Sequence, residues 1–483
     1  VNEIQQLLAN ARVAQAEWES QPTAGRLKAM RRLRQRIAQD PTSWVEAIKT
    51  PQGRTKAESL AGEVLPLADA CRWLEKQATK ALRPRHSGGW LTGISWRVVK
   101  KPLGVVLVIG ASNYPLFLLA VPAIQALSAG NAVVLKPPPG AEAIAEKFRQ
   151  ALMAVGIDPR LCPLIDSSAE AAQAAIAAGV DHVVATGSSS TGRAVAQSAA
   201  EQLTPCTLEC SGSDAVVVLP GADLDRVADC IAWGLPFNSG ATCIGPRRLI
   251  LVGEQLAAMR GLLIERLLNT PARRFPQTAA ESVRRVIAAE LDAGAEVLYP
   301  GGFDQQALDD ACEAGEIRPT LLLTKQSPST VSQNDLFAPV MSIEQAFSTD
   351  GAIAVANASP YALGASVFGP RDEAERVATR LRAGCVTVND LLAPTADPSV
   401  PFGGTGESGY GVTRGAEGLL AMTRPQAIVT RRGRWLPHLD EPTPALDDLL
   451  TGMIQMKHSA GWSARFAGLQ KLISAAVAHS KKK

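Results

Sequence analysis

Apolar residues fall first at helical spacing and then, abruptly, in short continuous runs. Over the first eighty positions Leu27, Met30, Leu33 and Ile37 form a stripe beside a face of arginine and lysine, and a second helix is predicted over 60–82. Gly88-Gly89 closes this region, and a short strand is expected within 90–102, around Trp96 and Val98-Val99. From Leu103 to Leu135 there is no charged residue, a stretch long enough to cross a bilayer. Its pattern argues otherwise. Val105–Ile109 is a β-branched run closed by Gly110. Asn113, Pro115, Pro122 and Gly130 interrupt the next twenty or so positions, and Val133-Val134-Leu135 reads as a second strand. That is strand, loop, buried helix, strand, as in an α/β domain whose parallel strands are covered on both faces.

The alternation continues. Strands are predicted at 105–109, 132–136, 161–165, 182–186 and 215–219, with helices at 141–154, 168–178 and 190–202, the grammar of a doubly wound sheet. A second α/β unit comes next, with helices at 225–233, 253–268 and 280–293 and strands at 248–252, 320–323, 365–368 and 385–388. The segment PFGGTGESGYG at 401–411 is too rich in glycine for a regular element and is read as a shaped loop. A strand is expected at 426–430. Beyond it lie an acidic DEPTPALDD linker, a short helix with Trp462, Phe466, Leu469 and Ile473 on one side, and a frayed end at Lys481–Lys483.

Composition narrows the function. The 483 residues are 46% hydrophobic and 20% charged, which describes a globular chain of about three domains at ~150 residues each. A net charge of +3 without a basic patch argues against nucleic acid or an anionic membrane as partner. Eight dispersed cysteines suit a reducing compartment, and the amino terminus lacks the apolar core of a signal peptide, so a cytoplasmic location is expected. Five scattered histidines and no HExxH or clustered CxxC leave little for a metal site. Cys206 and Cys210, four apart, read as core cysteines, and His182 as a satisfied core histidine.

Three residues can carry covalent chemistry. Cys243, in FNSGATCIGPRR, sits on a Gly240-containing turn before a strand; a buried cysteine is usually a small hydrophobe, but such a turn can present a thiol to a cavity beside backbone N–H groups. Glu209, in TPCTLECSG, is either a solvated loop carboxylate or a general base at a strand end. Asn113, in VLVIGASNYPLF, either caps the helix after it or aims its amide at a developing oxyanion. Gly187-Ser188 lies between a strand and a helix opening, where N–H groups can hold a pyrophosphate. Lys136 ends a strand. Trp233 and Phe237, before Cys243, either line a substrate tunnel or pack helices, and lean the reading towards an apolar or aromatic substrate.

Asn-Tyr-Pro at 113–115, Leu-Glu at 208–209, FNSGATC at 237–243 and PFGG at 401–404 together resemble the aldehyde dehydrogenase superfamily, in register from about residue 20 to 432. The 34 residues from Glu209 to Cys243 match that family's spacing. The resemblance implies a Rossmann-like cofactor domain (1–84 and 103–211), an α/β catalytic domain (212–411), a small β oligomerisation arm (85–102 and 412–432) and an extension at 433–483. It implies Cys243 as nucleophile, Glu209 as general base and Asn113 as oxyanion donor, with NAD or NADP as cofactor, a small-molecule aldehyde as substrate and a homodimer or homotetramer as assembly. Lys136, Gly187, Ser188, Asp335 and Phe337 match the family's cofactor contacts.

The departures from that pattern surround the same site. Pro139 stands where many NAD-using relatives carry a glutamate, so the carboxylate that would repel a 2′-phosphate is gone. Asp335 is one methylene shorter than the family's ribose-binding glutamate, and Ala338 replaces a glycine. Ala241 replaces a glutamine, Cys210-Ser211-Gly212 replaces Leu-Gly-Gly, and Ser112 replaces a tryptophan. Two other functions compete: acyl transfer to coenzyme A, and a silent scaffold that keeps the fold.

Overall fold

The computed structural model describes residues 2–50, 53–88, 93–432, 439, 441 and 443–480, with side chains to residue 478. Gly89, His438, the side chain of His479 and the expected frayed end Lys481–Lys483 lie outside the described residues. The chain forms two compact units, Val1–Arg85 with Val98–Ala427, and His86–Arg97 with Ile428–Lys483. Both large sheets belong to the first.

The charge-free stretch is strand, helix, strand. Val105–Ile109 and Ala132–Lys136 pair in parallel, and the helix Phe117–Ala129 between them is buried almost all round and closed by Gly130 at φ 105°. No described helix is long and apolar enough to cross a membrane. A five-stranded sheet is ordered Gly409–Tyr410, Cys206–Cys210, His182–Gly187, Val105–Ile109, Ala132–Lys136; all pair in parallel except the first. The chain leaves Val105–Ile109 towards one edge and later returns on its other side. The crevice beyond the carboxyl ends of Val105–Ile109 and His182–Gly187 is therefore the switch point where doubly wound sheets take ligands. The stripe Leu27, Met30, Leu33 and Ile37 is buried as expected, on the helix Thr23–Gln39.

The seven-stranded sheet runs Glu296–Tyr299, Thr320–Leu323, Val340–Ala346, Pro246–Val252, Asp214–Val218, Gly364–Phe368, Cys385–Val388, with Glu296–Tyr299 alone antiparallel. The run expected at 215–219 therefore starts this second sheet and does not continue the first. The strand expected at 161–165 is absent. Pro159–Leu161 is a 3-10 turn, and Leu164 makes one isolated bridge to Leu135. Pro163 offers its carbonyl to Leu135 but has no N–H to extend a ladder. Val340–Ala346, central in the sheet, escapes the hydrophobic pattern because Ser342, Glu344 and Gln345 interrupt it.

Strands Arg85–Gly88, Ile94–Pro102 and Thr423–Arg431 make a three-stranded sheet. The carboxyl-terminal segment holds two helices, Pro444–His458 and Trp462–Ser480, so the second half of the expected linker is helical. The helices meet through Gly452 and Gly468, where a Cβ would stand 2.6 Å from Leu472 N and 2.4 Å from Met456 N, and Trp462, Phe466 and Ile473 stay exposed.

Before the helix Phe117–Ala129, Glu63 takes the place of a cap. Its Oε2 accepts from the amides of Leu116 (2.6 Å) and Phe117 (3.0 Å), its Oε1 pairs with Arg54, and both charged side chains are at most 1% exposed. Removing one partner leaves a buried charge and two orphaned amides, so Glu63→Ala should cost about 3–5 kcal/mol. Urea unfolding followed by tryptophan fluorescence checks this; a loss below ~1 kcal/mol would show the pair is dispensable.

Candidate active site

The loop bearing Cys243 is forced into shape by close approach. Asn238 and Ser239 hold φ of 50° and 56°, and Gly240 comes next at 73°. A Cβ on Gly240 would lie 2.4 Å from the Ala338 carbonyl carbon, so glycine is required for space as well as conformation. Arg247, 1% exposed, clamps the turn: Nη1 donates to Ala338 O (3.1 Å), and Nη2 donates to Gly240 O and to Thr242 O (3.4 Å). One guanidinium thus ties the cysteine loop to the segment carrying Asp335 and Phe337.

Asn113 does not cap the helix, whose entry carries no side-chain cap hydrogen bond. Its Oδ1 accepts from the Tyr114 amide (3.1 Å), and one proton of Nδ2 goes to Ala241 O (3.1 Å), two residues before Cys243. Tyr114 Oη meets Thr242 Oγ1 at 2.7 Å, a second tie between these loops. The other Nδ2 proton is left for a ligand.

Glu209 is buried on the strand Cys206–Cys210 rather than solvated. Thr413 Oγ1 donates to its Oε1 at 2.6 Å, and Thr186 Oγ1 approaches Oε2 at 3.5 Å. The 401–411 segment, expected to be all loop, carries two short strands, Thr405–Gly406 and Gly409–Tyr410, and delivers Thr413 by pairing the second with Glu209 and Leu208; a Cβ on Gly409 would stand 2.2 Å from Leu208 O. Burial pushes the Glu209 carboxyl above the usual carboxylate range, opposed by the Arg414 charge and the two hydroxyls. Burial, then the charges of Glu209 and Asp214, push the Cys243 thiol up to about 12, with Arg414 pulling the other way. Asp335, raised to about 6 by burial against a Ser211 hydrogen bond and Arg247, faces the same space.

That space is a cavity of about 900 Å³. Asn113, Glu209 and Cys243 line it together with Lys136, Pro139, Gly187, Ser188, Asp335 and Phe337, and so do Trp233 and Phe237. The last two stack with ring centroids 4.9 Å apart, Trp233 remaining half exposed. Lys136 is 7% exposed and has no ion-pair partner among the described residues; burial lowers its pKa. Ser188 caps the helix Ser189–Glu201, its Oγ accepting from Thr191 N at 3.2 Å, so the amides of Ser189 and Ser190 are left without acceptors within the helix.

Other sequence candidates fall elsewhere. His182 Nε2 lies 3.1 Å from Thr207 Oγ1 but its buried Nδ1 has no partner, and burial pushes the ring down to about 4, so it is a neutral core residue only half satisfied, not fully as expected. Cys206 packs on Thr204 O, whereas Cys210 borders the cavity; no group of three metal-ligating side chains occurs among the described residues. Sequence reasoning missed Arg247, Thr413 and Arg414. Pro246-Arg247-Arg248 opening an apolar strand was the one available signal, since charged residues enter such strands only with dedicated partners.

The chain belongs to the aldehyde dehydrogenase family, whose model matches residues 1–428. It is 30% identical over 451 residues to a 4,4'-diapolycopene aldehyde oxidase from Methylomonas sp, covering 90% of this chain and 84% of that one. An aldehyde dehydrogenase of Mycobacterium tuberculosis complexed with NAD+ matches it with a TM-score of 0.80 at 26% identity, over 89% of this chain and 90% of that one. A succinic semialdehyde dehydrogenase from Streptococcus pyogenes in complex with NADP+ shares the fold, with a TM-score of 0.81 at 24% identity over 88% of this chain and 94% of that one.

Because Glu209 holds the Cys243 thiol up, Glu209→Gln should lower its pKa and raise its thiolate fraction near neutrality. The rate of Cys243 alkylation by iodoacetamide against pH should shift to lower pH in the variant. An unmoved profile would mean the two groups do not interact.

Proposed function

We propose that this chain oxidises an aldehyde to a carboxylic acid with NAD or NADP, through an acyl group carried on Cys243. The observation that carries the reading is one cavity holding a thiol, a buried carboxyl and an amide beside an open helix terminus and an unpaired lysine. The donor set suits a dinucleotide: the amides of Ser189 and Ser190 suit a pyrophosphate, Lys136 a ribose hydroxyl or phosphate, and Asp335 and Phe337 the nicotinamide half. When bound, the dinucleotide supplies the hydride acceptor that converts the cysteine adduct into a thioester.

The chain's own residues do the rest. The Cys243 sulfur, its proton given up to water, bonds to the aldehyde carbon, and the carbonyl oxygen becomes an oxyanion. The spare Nδ2 proton of Asn113 and the Cys243 backbone N–H are its donors. Once the thioester has formed, Glu209 takes a proton from water, the water oxygen bonds to the acyl carbon, and the C–S bond breaks to release acid and thiol. Burial suits Glu209 to this, since a carboxyl raised from its usual range is a stronger base. It also favours water over coenzyme A as acceptor, because a thiol arriving as thiolate needs no such base.

With this reading goes a division of labour. The five-stranded sheet with residues 1–84 holds cofactor, 212–411 carries the nucleophile, the arm strands join a homodimer or homotetramer, and the enzyme works in the cytoplasm.

Glutamine at position 209 is nearly isosteric but a poor base. Glu209→Gln should therefore release a burst of reduced cofactor equal to the active-site concentration, followed by slow turnover. Full steady-state activity would remove Glu209 from the hydrolytic step.

Pro139 stands exposed at the cavity with Lys136 buried nearby, so NADP should be accepted at least comparably to NAD. Pro139→Glu should move the kcat/KM ratio towards NAD by several fold, read at matched ionic strength. More than about a hundredfold preference for NAD in the unmodified enzyme would mean that other residues exclude the 2′-phosphate.

A further inference from the structure

Arg414 sits in the reaction chamber with half of its guanidinium unclaimed. It comes directly after Thr413, the hydroxyl donor to Glu209, and is 8% exposed with its backbone at φ 58°. The guanidinium carbon lies over two rings, 4.1 Å from the Phe402 centroid and 5.9 Å from that of Phe117. Nη1 donates to Thr395 O. Among the described residues no carboxylate forms an ion pair with it, and Nε and Nη2 have no hydrogen-bond partner, yet neither is sealed by protein. Arg414 and both rings border the cavity that contains Cys243 and Glu209. A second crevice touching Arg414, beside Trp73 and Gln125, measures about 10 Å³ and has room for one water at most.

An arginine buried with no carboxylate on its donors is costly, and the nearby Glu209 charge and two aromatic faces recover only part of that cost. The free edge matters. Nε and Nη2 are the pair of parallel donors that meet both oxygens of a carboxylate, and a guanidinium keeps its charge at any pH the enzyme meets.

We propose that Arg414 is a specificity residue and that the preferred aldehyde is an oxo acid, whose distant carboxylate lies along the Nε–Nη2 edge while its carbonyl reaches Cys243. This rests on Cys243 being the nucleophile, and it departs from the purely apolar substrate suggested by Trp233 and Phe237. Those rings and Phe402 then flank the methylene chain between the two ends.

The test compares ω-oxo acids with their methyl esters as substrates of the full-length enzyme. The acid of the best-fitting length should exceed its ester by roughly 50-fold in kcat/KM, mostly through KM. Arg414→Leu should collapse that ratio to within a few fold, and Arg414→Lys should restore part of it. Esters oxidised as well as acids would overturn the inference while leaving aldehyde oxidation intact; no aldehyde oxidised at all would instead strike the proposed function. Equal losses on acid and ester in Arg414→Leu would also overturn it, assigning Arg414 to Cys243 or Glu209. A readout on the unmodified protein needs no turnover and no variant: glutarate should protect Cys243 from iodoacetamide at concentrations about tenfold below glutaramide. Equal protection by the two would overturn the inference.

Discussion

The Arg247 guanidinium is the constraint on which the reactive loop depends. Three successive residues in left-handed backbone, two of them not glycine, would relax without an external hold. The centre of that hold is a single cation shared among the carbonyls of Gly240, Thr242 and Ala338, with Asn238 Nδ2 on the Asn113 and Ala241 carbonyls beside it. Its site on the fully buried strand Pro246–Val252 makes it rigid, since the strand is fixed on both sides by parallel neighbours. Loop conformation therefore derives from sheet registry rather than from local propensity. Gly240 is the complementary requirement, because the clamp closes only where a Cβ is missing.

Glu209 is organised from the other sheet by a similar economy. The two-residue ladder of Gly409–Tyr410 on Leu208 and Glu209 adds little sheet, yet it places Thr413 on the carboxylate and Arg414 in the cavity. Glu209 thus sits near a strand's end, locked by Thr413 from a distant segment, and Cys243 sits just before a strand whose own Arg247 holds its loop. Orientation held by a second layer of hydrogen bonds is what a site needs when fractions of an ångström decide rate.

Much of this was legible from the sequence, and the failures have physical causes. Every residue singled out for cofactor or chemistry borders the same large cavity, because the motifs lie at or near strand ends, where a doubly wound sheet opens its crevice. Asn113 was ambiguous because capping and oxyanion donation ask for the same residue type; the structure gives the capping task to Glu63, fifty positions upstream. Residues 161–165 had a strand's composition, but Pro163 breaks the ladder. Val340–Ala346 had a central strand's position without its composition, its polar residues being absorbed by partners such as Ser329 on Glu344 and Ser342. Arg247 and Arg414 were harder to read for a general reason: periodicity marks where apolar residues go, whereas a buried cation is defined by its partners, among them the Ala338 carbonyl for Arg247 and the Thr395 carbonyl and two rings for Arg414.

The charges around Cys243 are kept apart rather than paired. Glu209, Asp214 and Asp335 are all raised by burial, and Arg247 and Arg414 are lowered by it, yet among the described residues none of these acids forms an ion pair with either arginine. Pairing would be the cheaper arrangement for groups so deeply buried. It is prevented because the arginines are already held, one by three carbonyls and the other by two rings and a carbonyl. The acids are held too, Asp214 by the Gly364 amide and Glu209 by Thr413. A cavity arranged this way keeps its electrostatic interactions unspent. A thiol held neutral and a carboxyl pushed up from its usual range wait for a ligand whose own charges complete the set, and stability surrendered at rest returns as binding and orientation when the ligand arrives.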